Sequence, residues 1–412
     1  MVSVTLLVII YLSFISLGLP DSLLGSAWPT MVGDLHAPLW GAGLISMTVS
    51  LCTIISSVNS ARLIRRFGTG RLTAFSGVLT AAALMGMSIA PHYVFMILLA
   101  IPLGLGAGAV DSAMNNYVAL HCQSKHMNWL HCFWGVGTVI SPYVMSGVLS
   151  LGMRWTAGYR AVSVLQFALS IVLLTTLGLW GGEKMKEEER SAKVLSIAEV
   201  LRLPGAKQGL FGFTSYCAVE QTFIIWSSTY LVMDRGLDAA HAASLGGLFF
   251  IGMTVGRAIS GFIAIKLSPR KMVRLGQTMM LLGCLLLFIT GQTVGIAGLL
   301  FMGLGCAPVY PNIVQDTPRN FGAENSQAVI GVQMAFAYMG SRSMPTVFGW
   351  LAEAFGYGIL PVFSLAITVV MILLYSAQQR IVDAKNAKEQ RRRRLKCCLR
   401  LFISLWVVGF AE

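Results

Sequence analysis

Continuous apolar runs long enough to cross a bilayer recur from one end of the chain to the other, and no other feature constrains its fold as tightly. A spanning helix needs about 20 mostly apolar residues. Twelve such segments can be cut from the 412 residues, roughly 4–31, 38–60, 72–90, 93–118, 128–152, 158–180, 209–233, 243–267, 273–291, 294–316, 324–350 and 358–378. The runs are unbroken, as at 6–10, and do not alternate in the short units of a transmembrane barrel. Only 11% of the residues are charged, against about 25% in a soluble domain. A soluble fold of this composition would expose far more apolar surface than monomers tolerate. The 43 glycines suit helices that approach one another closely in lipid. The expected fold class is an all-α polytopic membrane protein. Soluble enzyme, disordered chain and nucleic-acid binder are excluded.

Basic residues orient the spans. Of the 30 Lys and Arg, 25 fall on the side shared by the N-terminus and the even-numbered loops, among them Arg62, Arg65, Arg66, Arg71, Lys266, Arg270 and Arg391 to Arg394. The opposite side has Arg154, Arg160 and Arg235, and Arg257 and Arg342 fall within helices. Positive residues stay cytoplasmic, so both termini are expected inside, in the cell membrane. The net charge of +13 then follows from topology and calls for no nucleic-acid partner. The first span lacks a charged n-region and exceeds a signal-peptide core, so it reads as retained. The eight cysteines, Cys52, Cys122, Cys132, Cys217, Cys284, Cys306, Cys397 and Cys398, avoid the outer loops. They read as small apolar filler, with no disulfide framework or zinc site expected.

The longest polar stretch, 181–207, divides the chain into a six-helix unit at 1–180 and another at 208–380, followed by a basic tail at 381–412. The two units repeat weakly. Gly43, Arg62 and Arg66 match Gly247, Lys266 and Arg270 at a constant offset. Gly-Leu-Gly at 104–106 matches 303–305, and Pro142 matches Pro345. Parallel six-helix repeats imply a solute site between halves near the midplane, with rocking of one half against the other.

At this point the chain resembles a major facilitator superfamily transporter over nearly its whole length. The basic loop at 60–71, Ser-Ala-Arg-Leu-Ile-Arg-Arg-Phe-Gly-Thr-Gly-Arg, is similar to that superfamily's cytoplasmic signature, without its usual aspartate. Finer features resemble the fucose:proton symporter-like sugar transporters. These are Gly-Leu-Pro-Asp-Ser-Leu-Leu-Gly at 18–25, Asp-Ser-Ala-Met-Asn-Asn-Tyr at 111–117, Glu-Gln-Thr-Phe-Ile-Ile-Trp at 220–226, Ala-Pro-Val-Tyr-Pro-Asn at 307–312 and Gly-Val-Gln-Met-Ala-Phe at 331–336. One departure is Trp134, which stands where the proton–fucose members carry an asparagine. The resemblance implies two pseudo-symmetric six-helix bundles, with helices 1, 4, 7 and 10 lining the cavity.

A charge at bilayer depth is costly and lines a cavity or pairs. Asp21, Asp111 and Glu220 are the candidate proton-coupling acids, on helices 1, 4 and 7. The bland readings are a helix cap for Asp21, a structural bond to Asn115 for Asp111, and an ion pair with Arg257 for Glu220. Asp316 reads as an interfacial cap or a gate pair with Arg319. Arg342 reads as paired with an acid rather than bound to an anionic substrate. Arg62, Arg66, Arg257 and Arg342 are thus the gating or ion-pair candidates. His131 offers a relay group or a packing histidine. Trp134, Trp226 and Tyr310 would stack on a sugar, while Asn115, Gln221, Asn312 and Gln333 bond its hydroxyls. Packing is the alternative for each aromatic, and Trp28 and Trp40 read as an outer aromatic belt. In the tail, Cys397 and Cys398 beside Arg391 to Arg394 offer acylation and anionic-lipid contacts. A dispensable terminus is the simpler reading.

No phosphate loop and no His-Glu-x-x-His occurs, so ATP-driven and metalloprotease readings have no support and no cofactor is expected. The expectation is a non-enzymatic secondary transporter, a monomer moving a small polar solute, a monosaccharide, with protons or alternatively sodium. A proton-coupled exporter of drugs or metabolites is the alternative on the same fold.

Overall fold

The computed structural model describes residues 3–38, 41–180, 193–237, 239–289 and 292–409. Twelve long helices fill it. The first half holds α1 (Val4–Asp34), α2 (Gly41–Phe67), α3 (Thr69–Ser88), α4 (Tyr93–His121), α5 (Ser124–Ser150) and α6 (Trp155–Thr175). The second holds α7 (Ala206–Met233), α8 (Ala239–Ile263), α9 (Pro269–Leu287), α10 (Gln292–Gln315), α11 (Ala323–Phe355) and α12 (Leu360–Gly409). Among the described residues, eight of these are long and apolar enough to span a membrane on their own composition. The other four, α3, α7, α9 and α11, carry polar groups that face protein instead of lipid, among them Glu220 and Gln333, both buried. α12 continues as one helix through Gly409, into the segment 381–412 read as a basic tail.

The repeat seen in the sequence has a packing cause. A Cβ on Gly104 would collide with the Val49 carbonyl of α2, and one on Gly106 would press on Thr80 and Ser76 of α3. A Cβ on Gly303 would collide with the Phe249 carbonyl of α8, and one on Gly305 with the backbone of α9. Each Gly-Leu-Gly therefore wedges its helix between the second and third of its half, through backbones that only a residue without a side chain lets meet. The partner helices pair likewise: Ser141 Oγ donates to Leu19 O at 2.5 Å between α5 and α1, and Thr214 Oγ1 to Phe336 O at 3.2 Å between α7 and α11.

Local chemistry ends the helices. Ser3 caps α1 by accepting from Leu6 N at 3.2 Å. Ser196 and Glu199 form a capping box on the short helix Ile197–Arg202, where the central loop rejoins the second half. At the far end of α1, Asp34 accepts from Arg154 Nη2 at 2.9 Å and from Trp155 Nε1 at 2.8 Å. Those two donors hold the Asp34 carboxyl below its ordinary range. Trp28 is not in an outer belt; it is buried in the apolar cluster of α1 to α6 and meets Tyr93 edge-on at 6.3 Å. Trp40 lies outside the described residues.

Candidate functional site

Two chains of polar groups cross the middle of the molecule. The first begins on α4, where Asp111 and Asn115 share a face one turn apart. Asn115 Nδ2 donates to Asp111 Oδ1 at 2.8 Å. That orientation turns Asn115 Oδ1 toward His131 Nε2 on α5, 3.1 Å away. An amide oxygen only accepts, so His131 carries its proton on Nε2 in this arrangement. The imidazole meets Tyr310 of α10 at 4.8 Å between ring centres and Phe14 of α1 at 5.5 Å. Asp111, Asn115 and His131 are all buried. Among the described residues no base comes within ion-pair distance of Asp111.

The second chain begins in the other half. Arg257 Nη2 of α8 donates to Glu220 Oε1 of α7 at 2.9 Å, with both side chains almost fully buried. Tyr216, one turn before Glu220, holds its hydroxyl 3.0 Å from the same carboxylate oxygen and 2.9 Å from Cys306 O. The Arg257 guanidinium lies 5.4 Å from the centre of the Trp134 ring on α5. Trp134 Nε1 in turn donates to Asp21 Oδ2 of α1 at 2.9 Å. An ion pair in one half thus reaches a carboxylate in the other through an aromatic ring. Cation–π contacts of this kind contribute about 0.5–2 kcal/mol.

Asp21 lines a cavity, with Ser13, Ser16, Ser46, Thr80, Gln166 and Arg342 among its walls. Arg342 makes no ion pair among the described residues, and Asp21 is the acid that shares its cavity. Asp316 pairs with Arg270 Nε at 3.3 Å, not with Arg319, and Arg270 also bonds Asn320 and Asp383. Arg62 and Arg66 form no ion pair among the described residues either. Arg62 donates to Asn59 Oδ1 at 2.9 Å in its own helix, and Arg66 lies over Phe67.

The remaining expected sugar contacts scatter. Trp226 Nε1 donates to Pro345 O at 2.9 Å and its ring packs on Phe348 and Tyr357, all within the second half. Tyr310 packs against His131, Phe213 and Tyr216, with its hydroxyl 3.1 Å from Met334 Sδ. Gln221 is half-buried and makes no hydrogen bond among the described residues. Gln333 Oε1 accepts from Thr317 Oγ1 at 3.0 Å.

Asn312 belongs to a different assembly, which sequence reasoning missed. Its Nδ2 donates across the halves to Asn128 Oδ1 at 3.1 Å. Gln315 Nε2 reaches the Cys122 carbonyl at 3.1 Å, Ser326 Oγ donates to Asn116 Oδ1 at 2.7 Å, and Gln327 Nε2 meets Ser60 Oγ at 2.8 Å and Ser112 Oγ at 3.0 Å. These bonds tie α2, α4 and α5 to α10 and α11 at the end carrying the basic loops. Ser60 lies on α2, at the start of the basic 60–71 segment that resembles a gating signature, so the missing aspartate was the available signal. Asn312, Gln315 and Gln327 each leave their amide oxygen buried without a partner.

Comparison with known proteins agrees with this architecture. The family model of the Major Facilitator Superfamily matches residues 10–263 and 210–411. The chain is similar to Bypass of stop codon protein 6 of Saccharomyces cerevisiae, at 21% identity over 89% of this chain and 80% of that protein. It is similar to the hexuronate transporter of Bacillus subtilis, at 22% identity over 68% of this chain and 69% of that one. Its fold superposes on the crystal structure of the transporter FucP in the outward conformation with a TM-score of 0.73 at 14% identity, covering 91% of this chain and 98% of that chain.

Proposed function

The chain belongs to the Major Facilitator Superfamily, and from that premise we propose that it is a proton-coupled symporter of a small polar solute, a monosaccharide, working by alternating access. It is a transporter and not an enzyme. The observation that carries the coupling reading is Asp111, a carboxyl buried between the halves with an amide for its partner. An acid held inside a membrane protein without a counter-cation is a natural carrier for a proton. Asp21, open to the cavity, is the second coupling acid. Glu220 differs, because Arg257 already balances its charge. Sodium is the alternative coupling ion for the same carboxylates.

In this reading the basic end faces the cytoplasm in the cell membrane, and the protein works as a monomer in the bilayer. The seal at the basic end, with Asp21 exposed in the cavity beyond it, makes this the outward-facing arrangement. A proton and a solute enter the cavity, the halves rock, the amide and hydroxyl bonds at the basic end part, and both leave inward. Solved relatives of this fold include proteins titled as a fucose:proton symporter and a proton:xylose symporter, which supports the choice of a sugar.

The test is uptake of radiolabelled monosaccharides into proteoliposomes with an inward proton gradient, an inward sodium gradient or neither. Proton-driven accumulation that disappears in Asp111→Asn, while exchange of internal for external sugar survives, is expected. Concentrative uptake unchanged in Asp111→Asn removes the coupling assignment. Absence of flux for every sugar in folded protein removes the sugar reading and favours an exporter.

A further inference from the structure

We propose that Arg342 is the residue that selects the solute, and that the solute carries a carboxylate: a polyhydroxylated monocarboxylic acid such as a sugar acid. This rests on the transporter reading above and names its substrate class.

The two walls of the cavity differ in hydrogen-bonding sense. Nearly all of the lining comes from α1 to α6, and Arg342 is the lining residue from the second half. On the first wall, three hydroxyl protons are already committed to backbone carbonyls, while the hydroxyls of Ser16, Ser46 and Tyr159 make no hydrogen bond among the described residues. Ser13 Oγ donates to Ile9 O at 2.8 Å, Thr73 Oγ1 to Thr69 O at 2.9 Å, and Thr80 Oγ1 to Gly77 O at 2.9 Å. Gln166 gives Nε2 to Thr80 Oγ1 at 2.9 Å. Asp21 adds a carboxylate to the same wall. That wall offers the Asp21 carboxylate and hydroxyl groups, the complement of a row of solute hydroxyls, and no cation.

The second wall presents a guanidinium and nothing acidic. Among the described residues, no carboxylate lies within ion-pair distance of Arg342. A cation facing a cavity at bilayer depth is a functional group by default. A guanidinium offers a planar fork of donors that matches a carboxylate bidentately. A solute with hydroxyls at one end and a carboxylate at the other satisfies both walls at once. A neutral sugar satisfies only the first. The carboxylate also gives the solute a grip on the second half, so that occupancy bridges the two bodies that must rock together. Asp21 beyond Arg342 disfavours any solute that presents its anionic end to the first wall, which fixes the direction of binding.

The experiment uses matched pairs in proteoliposomes: glucose against glucuronate and galactose against galacturonate, with the parent protein, Arg342→Gln and Arg342→Lys. In the parent, the acid of each pair is expected to be transported with the lower KM. Charge-assisted bonds to a guanidinium support a loss of about ten- to a hundredfold in kcat/KM for the acid in Arg342→Gln. Arg342→Lys is expected to recover part of it, and the ratio of kcat/KM for the acid to that for the neutral sugar is expected to fall in Arg342→Gln. Stabilisation of the parent against heating by glucuronate, absent in Arg342→Gln, reads binding without flux and separates lost recognition from lost folding. Equal or better transport of the neutral sugars, with Arg342→Gln indifferent to the carboxylate, overturns this inference and leaves the symporter reading intact. Flux of neither member of any pair overturns both.

Discussion

The approach of α11 to α2 at the sealed end gives a direct handle on the transport cycle. A Cβ placed on Gly331 would collide with the Ser57 carbonyl oxygen and lie 3.0 Å from Ser60 Oγ. The carbonyl is part of a helix backbone and cannot rotate aside, so the helices themselves must separate. The contact exists only while the basic end is closed, and the penalty of Gly331→Ala falls on that state alone. Overpacking a tight interface by one methyl group costs about 1–3 kcal/mol. That shifts the balance toward an open basic end by about 5- to 150-fold. Gly43→Ala on α2 is the control, since a Cβ there meets nothing within 4 Å. The reporter is Ala119→Cys in a chain otherwise stripped of cysteine. Ala119 is 9% exposed, and the residue lies beside the seal. Its alkylation by an impermeant maleimide applied to the basic face measures how often the seal parts. Gly331→Ala is expected to speed alkylation about fivefold or more, while Gly43→Ala leaves the rate at the parent value. Identical rates in all three, with all three equally well folded, would refute the claim that this backbone approach sets closure.

Glu220→Gln leaves the Arg257 guanidinium buried without a counter-charge, a loss of about 3–5 kcal/mol. It is expected to lower the melting temperature clearly, and adding Arg257→Met is expected to restore part of the loss; a single variant that melts with the parent contradicts this. Asp34 is held below its ordinary range by Arg154 and Trp155. Its stabilising contribution is therefore complete above the unfolded carboxyl value of about 3.9 and is lost as pH falls through the lower folded value. The melting-temperature gap between parent and Asp34→Asn is expected to be constant near neutrality and to close below about pH 4; a gap that persists in acid detaches the effect from ionisation. Trp134→Phe keeps a ring beside Arg257 but removes the donor to Asp21, and is expected to change the proton dependence of uptake without lowering the melting temperature. An unchanged pH profile would separate Trp134 from coupling.

The fold was legible because bilayer spans announce themselves by length and apolar content, and the Gly-Leu-Gly match proved to mark equivalent wedges in the two halves. The Glu220–Arg257 pair and the Asp111–Asn115 bond were also readable, the second from a one-turn spacing. Rotation about each helix axis was not. Asn312 sits on a cavity-lining helix by resemblance and Gln333 on α11 beside it, yet they turn toward Asn128 and Thr317. Membrane helices are apolar nearly all round, so their sequence carries little of the periodic contrast that tells which face points inward. The seal escaped for a related reason. Ser60, Ser112, Ser326 and Gln327 are of types common in membrane helices, and only tertiary packing shows that three separate helices bring them together. Arg342 was expected to find an acid on electrostatic grounds; among the described residues none comes within ion-pair distance, and Asp21 shares its cavity.

The seal at the basic end is built from serine, asparagine and glutamine side chains, none of which titrates. Mobile ions weaken attraction between charges within a Debye length of about 8 Å at physiological ionic strength, but neutral amides and hydroxyls offer them nothing to screen. A latch of this kind closes with the same force in dilute buffer and in brine, and in acid and in base. The frequency with which the molecule turns over is thereby insulated from the ionic weather of the compartment it faces. What is left to govern it is the occupancy of the acids and of the cavity at its centre.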